Sequence, residues 1–204
     1  MIDNIIQLSK YGNKCLESAS HLMATQIKQK LNIYHGKCLE ISSDEGQMGT
    51  AFAEITDYDV YLYDISELSL TAANKRIHKR GLNERMTVLP WNSYFIPVEK
   101  DTMDLVVGVK SIWFLSDYVK ALNEIYRVLA PKGVAYIRLG NILKKSKSSY
   151  GNRRHKVTTF ICNRSAGNSY KLTEQLIQAI SKTDIKNFEI SDELSGVWIF
   201  IKKE

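Results

Sequence analysis

Residues 38–54 read CLEISSDEGQMGTAFAE, and the order of residue types in them decides the kind of fold. Cys38, Leu39 and Ile41 form a short apolar run, and Ser42, Ser43, Asp44, Glu45 and Gly46 break it. A helical stretch from Met48 to Glu54 then takes over. The pattern changes from strand to helix across one tight polar loop.

Working outward, residues 13–31 place Leu16, Ala19, Met23, Ile27 and Leu31 at three- and four-residue spacing, which predicts a helix with one packing face. Downstream, residues 60–63 form a second strand ending at Asp64. Ser66 then caps a helix that runs through Leu70, Ala73 and Ile77 and stops at Gly81. Residues 86–89 are a third strand. Residues 105–109 are a fourth, apolar throughout as expected when helices cover both faces of a sheet. Residues 118–129 carry Val119, Leu122, Ile125, Tyr126 and Leu129 on one side of a helix, and Pro131 and Gly133 are expected to end it before a strand at 134–139.

Five alternating strand and helix units imply a parallel, doubly wound α/β sheet with right-handed crossovers. The end of the chain departs from this rhythm. After a helix at 172–181, strands at 185–190 and 197–202 are separated by a few residues only. A parallel crossover needs about a dozen, so these two pair antiparallel. The result is a mostly parallel sheet of seven strands ending in a hairpin.

A chain of 204 residues with 44% hydrophobic and 25% charged residues fits one domain spanning 1–204, with a core that needs no disulfide or metal. No stretch approaches the ~20 apolar residues of a membrane span, and residues 1–10 lack a basic region leading into an apolar run. Cys15, Cys38 and Cys162 form no CxxC pair, which points to a reduced, cytoplasmic setting with buried thiols. His21, His35, His78 and His155 share no ligand spacing, so no metal site is expected.

Charge is distributed unevenly. Between Glu124 and Glu174 there is no acidic residue but eleven Lys and Arg; against +6 for the whole chain, the rest is −5. Residues 140–170 lose periodicity altogether and read as a basic insertion. It suits a lid or binding segment over an anionic ligand, nucleic acid or a membrane surface, or else a solvated connector. No recognisable RNA-binding module accompanies the charge, which disfavours nucleic acid.

In an open α/β sheet, ligands bind outside the carboxyl ends of the strands. The stretches converging there are residues 40–49, Asp64 with Ile65, residues 91–93 and residues 110–113. A nicotinamide site is disfavoured because residues 42–49 do not match G-x-G-x-x-G and the terminal hairpin is foreign to that class.

The quoted stretch, together with VYLYDIS from Val60, MTVLPWNSYFIPVEKDTMDLVVGVKSIWF from Met86 and ALNEIYRVLAPKGVAYI from Ala121, resembles the class I S-adenosylmethionine-dependent methyltransferases. The nearest likeness is to the small enzymes of the ubiquinone and menaquinone biosynthesis type. EIYRVLAPKG is its most specific phrase. The resemblance implies a Rossmann-like fold, S-adenosylmethionine as cofactor, and a small acceptor, for which the basic stretch suits an anionic one.

By position, the resemblance assigns the cofactor to Glu40, Ser42 and Gly46 in the loop, Asp64 at the ribose, and Ile65 against the adenine. Asn92 and Ser93 stand where relatives hold the adenine amino group; Lys110 follows the fourth strand; Tyr11, placed before the first helix, folds over the cofactor. Trp113 and Arg138 fall on the acceptor side. No catalytic base is assigned, because a nucleophilic acceptor aligned with a sulfonium needs none. Where relatives carry E/D-x-G-x-G-x-G, this chain has Ser42 and Asp44 in place of two glycines. That departure motivates the alternative of a non-catalytic partner or regulatory subunit on the same fold.

Overall fold

A computed structural model describes residues 2–32, 34–41, 44–64, 66–89, 95–108, 117–139, 166–193 and 196–204. The elements in chain order are α1 (Ile2–Leu31), β1 (His35–Ile41), a single turn at Asp44–Gly46, α2 (Gln47–Ile55), β2 (Asp57–Tyr63), α3 (Glu67–Arg80), β3 (Met86–Leu89), β4 (Met103–Gly108), α4 (Tyr118–Val128), β5 (Leu129–Leu139), α5 (Ala166–Ile180), β6 (Phe188–Glu193) and β7 (Gly196–Lys202). They build one seven-stranded sheet in the order β3-β2-β1-β4-β5-β7-β6. Strands β1 to β5 are parallel, and β7 runs antiparallel to both β5 and β6. The expected doubly wound sheet with its terminal hairpin is therefore observed.

Chain direction reverses its progress across the sheet at β1, which pairs with β2 on one side and β4 on the other. That is the switch point at which a crevice opens. Ile41, Tyr63 and Leu89, the last residues of β1, β2 and β3, are register partners, so the loops leaving these strands emerge side by side.

Each sheet face has its own core. On one, α1, α2 and α3 bury Ala24, Ile27, Met48, Phe52, Ala73 and Ile77 against Cys38, Val60, Leu62 and Val107. On the other, Leu122, Ile125 and Val128 of α4 and Leu176 and Ile180 of α5 pack on Leu39, Val106 and Ile137. Strands covered on both faces explain why β4 shows no alternation.

Several boundaries differ from the expectations. Helix α1 starts at Ile2 rather than at residue 13, so Tyr11 sits on the helix and not before it. No proline interrupts residues 2–13, and a single Gly12 costs a helix only about 1 kcal/mol relative to alanine. Helix α4 ends at Val128, and Pro131 and Gly133 lie inside β5 rather than in a turn before it. The ladder there is irregular: Met103 pairs with Leu129, but Leu105 already pairs with Val134. Lys132, at φ 68, takes up the extra length. A Cβ on Gly133 would stand 2.7 Å from the Met103 carbonyl oxygen.

Helix α5 begins at Ala166, so the last part of the expected 140–170 insertion is helical. Strand β6 is shifted to Phe188–Glu193, because Glu193 pairs directly with Gly196 and the hairpin is tighter than residues 185–190 implied. Ile185 is instead a core residue below α5.

Candidate functional site

The turn between β1 and α2 holds two successive left-handed residues. Glu45 (φ 69, ψ 16) and Gly46 (φ 70, ψ 27) are both left-handed, and Gly46 is the N-cap of α2. Glycine is needed at 46 twice over. Its φ is costly for residues with a Cβ, and a Cβ there would meet Leu62 Cδ1 at 2.7 Å and Ala73 Cβ at 3.2 Å.

Gly46 offers no side chain to the first amides of α2, and Glu40 supplies one from beneath. Its Oε2 accepts from the Gly49 N–H at 2.7 Å, with Met48 N–H as a second donor. The Glu40 side chain, only 3% exposed, thus faces the start of α2 from inside the sheet. Burial pushes its carboxyl up to about 8, and the Asp64 charge adds to this. The Gly49 and Met48 amides and the Arg76 charge act in the opposite sense. Glu40, which the resemblance assigns to the cofactor, lies near the end of β1 with its carboxyl against the first amides of α2.

Asp64, buried at 8% exposure, stands one residue beyond β2. Its Oδ1 accepts from the Ser66 N–H at 2.9 Å and its Oδ2 from the Ser69 hydroxyl at 2.9 Å. Ser66 caps α3 as expected, accepting from the Ser69 N–H at 3.2 Å, and Gly81 ends that helix at φ 66. Ser69 Oγ also accepts from the Glu45 N–H at 3.0 Å. One hydroxyl therefore connects the Asp64 carboxylate with the β1–α2 turn.

Beyond Ser69, Arg76 Nε donates to the Glu45 carbonyl at 3.1 Å. The same guanidinium pairs with Glu17 of α1, and Arg80 joins Glu17 at 3.1 Å and Glu54 at 2.8 Å. The pairing with Arg76, and then with Arg80, draws the Glu17 carboxyl below its ordinary value against the opposing effect of burial, which is the largest single influence. Ser69, Arg76 and Glu17 were missed from the sequence. The available signal was the seven-residue spacing of Ser69 and Arg76, which puts both on one face of α3.

The phrase EIYRVLAPKG acquires a physical meaning here. Glu124 Oε1 accepts from the Ile96 N–H at 2.8 Å, and Arg127 donates to the carbonyls of Ile96 and Val98, each at 3.0 Å. Glu124 and Arg127 pair at 2.6 Å, and the guanidinium lies 4.8 Å from the centre of the Phe95 ring. The motif therefore anchors the returning arm of the β3–β4 connection onto α4.

Arg138, near the end of β5, is buried at 2% exposure on the α1 side of the sheet, with its guanidinium 5.6 Å from the Trp198 ring centre. Trp198 in turn stacks on Tyr136 at 4.5 Å. Of the other expected site residues, Ser42, Ile65, Asn92, Ser93, Lys110 and Trp113 lie outside the described residues, as does the side chain of Tyr11. The structure thus brings together Glu40, Gly46 and Asp64, with Arg138 placed across the switch point on β5. Cys38 is fully buried, and burial pushes its thiol well up. Among the described residues no group of three His, Cys, Asp or Glu side chains could hold a metal ion, and no helix is long and apolar enough to cross a membrane.

Comparison with known proteins agrees with this geometry. Residues 39–137 match the family described as a methyltransferase domain. The methyltransferase GfsG of Streptomyces halstedii is 25% identical over 119 residues, covering 58% of this chain and 43% of the relative. A demethylmenaquinone methyltransferase of Anoxybacillus flavithermus is 27% identical over 108 residues, covering 52% and 45%. This chain thus spans less than half the length of these curated relatives. A solved structure from Methanococcus maripaludis, provisionally assigned as an S-adenosylmethionine-dependent methyltransferase, superposes with a TM-score of 0.74 at 26% identity. That likeness covers 95% of this chain and 93% of the other. Sheet order, matched domain and structural likeness together give the chain the fold of the class I S-adenosylmethionine-dependent methyltransferases. Within that class, its matches include the menaquinone type that the sequence resembles.

Proposed function

We propose that the chain binds S-adenosylmethionine across the carboxyl ends of β1, β2 and β3 and transfers its methyl group to a small acceptor bearing an anionic group. The observation that carries this reading is the juxtaposition of a left-handed Gly46 turn with the Asp64 carboxylate, the two joined through Ser69. Gly46 lets the turn take its left-handed shape while packing closely against Leu62 and Ala73. Asp64 is a buried strand-end carboxylate that already accepts from Ser66 and Ser69, the type of acceptor that ribose hydroxyls require. These residues fit a nucleoside. When bound, the sulfonium supplies an electrophilic methyl group.

The chain's own residues then have distinct tasks. Glu40 holds the loop from below, Asp64 orients the sugar, and the Glu124–Arg127 pair fixes residues 95–98, which return from the segment containing Asn92 and Ser93. For Ser42, Ile65, Lys110 and Tyr11 the proposal keeps the cofactor-binding roles that the resemblance assigns them. For Trp113 and Arg138 it keeps the acceptor-side role that the resemblance assigns them. The excess of basic residues after Glu124 raises the concentration of anions nearby, which favours an anionic acceptor. The retained Gly46 turn supports this catalytic reading over the non-catalytic one motivated by Ser42 and Asp44.

Calorimetry with S-adenosylmethionine and S-adenosylhomocysteine tests the proposal. The unmodified chain is expected to bind both, and Asp64→Ala to weaken binding by about tenfold or more, roughly 1.4 kcal/mol. Absence of heat at about 1 mM of either ligand, a limit near 4 kcal/mol of binding free energy, removes it.

A further inference from the structure

Taking the crevice as the cofactor site proposed above, we infer that Ser69 and Arg76 are positioning residues for the cofactor: they clamp the peptide of Glu45 from both ends and hold the loop's left-handed turn. Glu45 carries a Cβ and sits at φ 69, a conformation L-residues avoid and glycine accepts freely. Something must hold it there.

The turn is fixed by α3. Ser69 Oγ accepts the Glu45 N–H at 3.0 Å, and Arg76 Nε donates to the Glu45 carbonyl at 3.1 Å. A second guanidinium nitrogen, Nη2, lies 3.8 Å from the Glu45 carboxylate. Both ends of one residue are thus gripped from one helix face, two turns apart.

Each half of the clamp is oriented in turn. The Ser69 hydroxyl proton goes to Asp64 Oδ2 at 2.9 Å, which leaves its oxygen lone pair for Glu45; the direction of the hydrogen bond is set by the carboxylate. Arg76 is aimed by Glu17 of α1, which also meets Arg80 at 3.1 Å. The turn has nowhere else to settle, because Gly46 packs so closely on β2 that an added Cβ would stand 2.7 Å from Leu62 Cδ1. The carboxylate proposed for the ribose therefore also governs the loop proposed for the methionine half, and α1 is connected to both.

The experiment uses the full chain with Ser69→Ala, Ser69→Thr, Arg76→Met and the double variant Arg76→Met with Glu45→Gly. Amide exchange at Glu45 is followed without ligand, and S-adenosylhomocysteine affinity by calorimetry. Ser69→Ala is expected to speed exchange of the Glu45 amide, and Ser69→Thr, which keeps the hydroxyl, to restore its protection. Arg76→Met is expected to weaken binding by about tenfold, and Glu45→Gly added to it to recover most of that loss, since glycine adopts the turn unaided. A merely structural arginine would lower the melting midpoint without this rescue.

The inference is overturned if Ser69→Ala and Arg76→Met bind within about twofold of the unmodified chain, or if the folded double variant recovers nothing. Should Arg76→Met not fold, the Ser69 pair and the exchange rates decide alone. Should the unmodified chain bind no S-adenosylhomocysteine, the reading of the site fails, and unchanged Glu45 exchange in Ser69→Ala would separately remove the clamp.

Discussion

Tyr58 is fully buried on β2, and its hydroxyl has no hydrogen-bond partner among the described residues. A buried donor left unsatisfied costs on the order of 1–3 kcal/mol. Tyr58→Phe removes only that group and keeps the ring, so it is expected to stabilise the fold by about 1 kcal/mol. Urea denaturation checks this, and a loss of stability would show that the hydroxyl has a partner. The same residue-level resolution separates what the sequence revealed at the site from what it did not. The places of Asp64 and Gly46 in the fold were legible, Asp64 because it ends an apolar strand and Gly46 because the resemblance sets a glycine in the turn after β1. The actual placement of Glu40 was not, because its role depends on a tertiary contact with the amides of Met48 and Gly49. Ser69 and Arg76 were hidden for the same reason: their partner, the backbone of Glu45, carries no side-chain signal.

At the scale of elements, α2 lies against β1 and β2 through a glycine that the loop motif does not explain. A Cβ on Gly49 would stand 2.5 Å from Leu62 Cδ2, 2.7 Å from Glu40 Oε2 and 3.0 Å from Val60 Cγ1. Gly49→Ala gains helix propensity, by about 1 kcal/mol, but must push α2 off the sheet and displace the Glu40 carboxyl. The clash is expected to win, with a net destabilisation of about 1–3 kcal/mol as judged by thermal melting. An unchanged or raised midpoint would show that α2 can shift freely. Helix and strand identities were readable from periodicity throughout. Their ends were less so, since α1 extends through residues of weak pattern and β5 absorbs Pro131 and Gly133 by an irregular ladder, which no local rule signals.

For the molecule as a whole, the buried Glu40 connects global stability to pH. Its carboxyl, raised from 4.5 to about 8, holds a proton in the folded chain that the unfolded chain has released. Folding stability from this group is therefore full below about pH 4.5 and declines as pH rises to about 8, beyond which it is level. Glu40→Gln stays neutral at every pH. The stability of Glu40→Gln relative to the unmodified chain is expected to improve steadily from about pH 5 to about pH 8 in denaturant titrations. A difference that does not vary with pH would place the Glu40 ionisation outside this range.

The order β5-β7-β6 has a consequence for how the chain acquires this fold during synthesis. Strand β7 is the last of the seven to leave the ribosome, yet it fills the slot beside β5 through six register pairs from Val134↔Lys202 to Leu139↔Val197. Until it emerges, a nascent chain with β1 to β5 already assembled presents the hydrogen-bonding edge of β5 and the apolar side chains around Ile137 to whatever is nearby. Vectorial folding of this sheet thus closes from the inside last, and the nascent molecule is most exposed to wrong strand partners and to chaperones just before Gly196–Lys202 arrives.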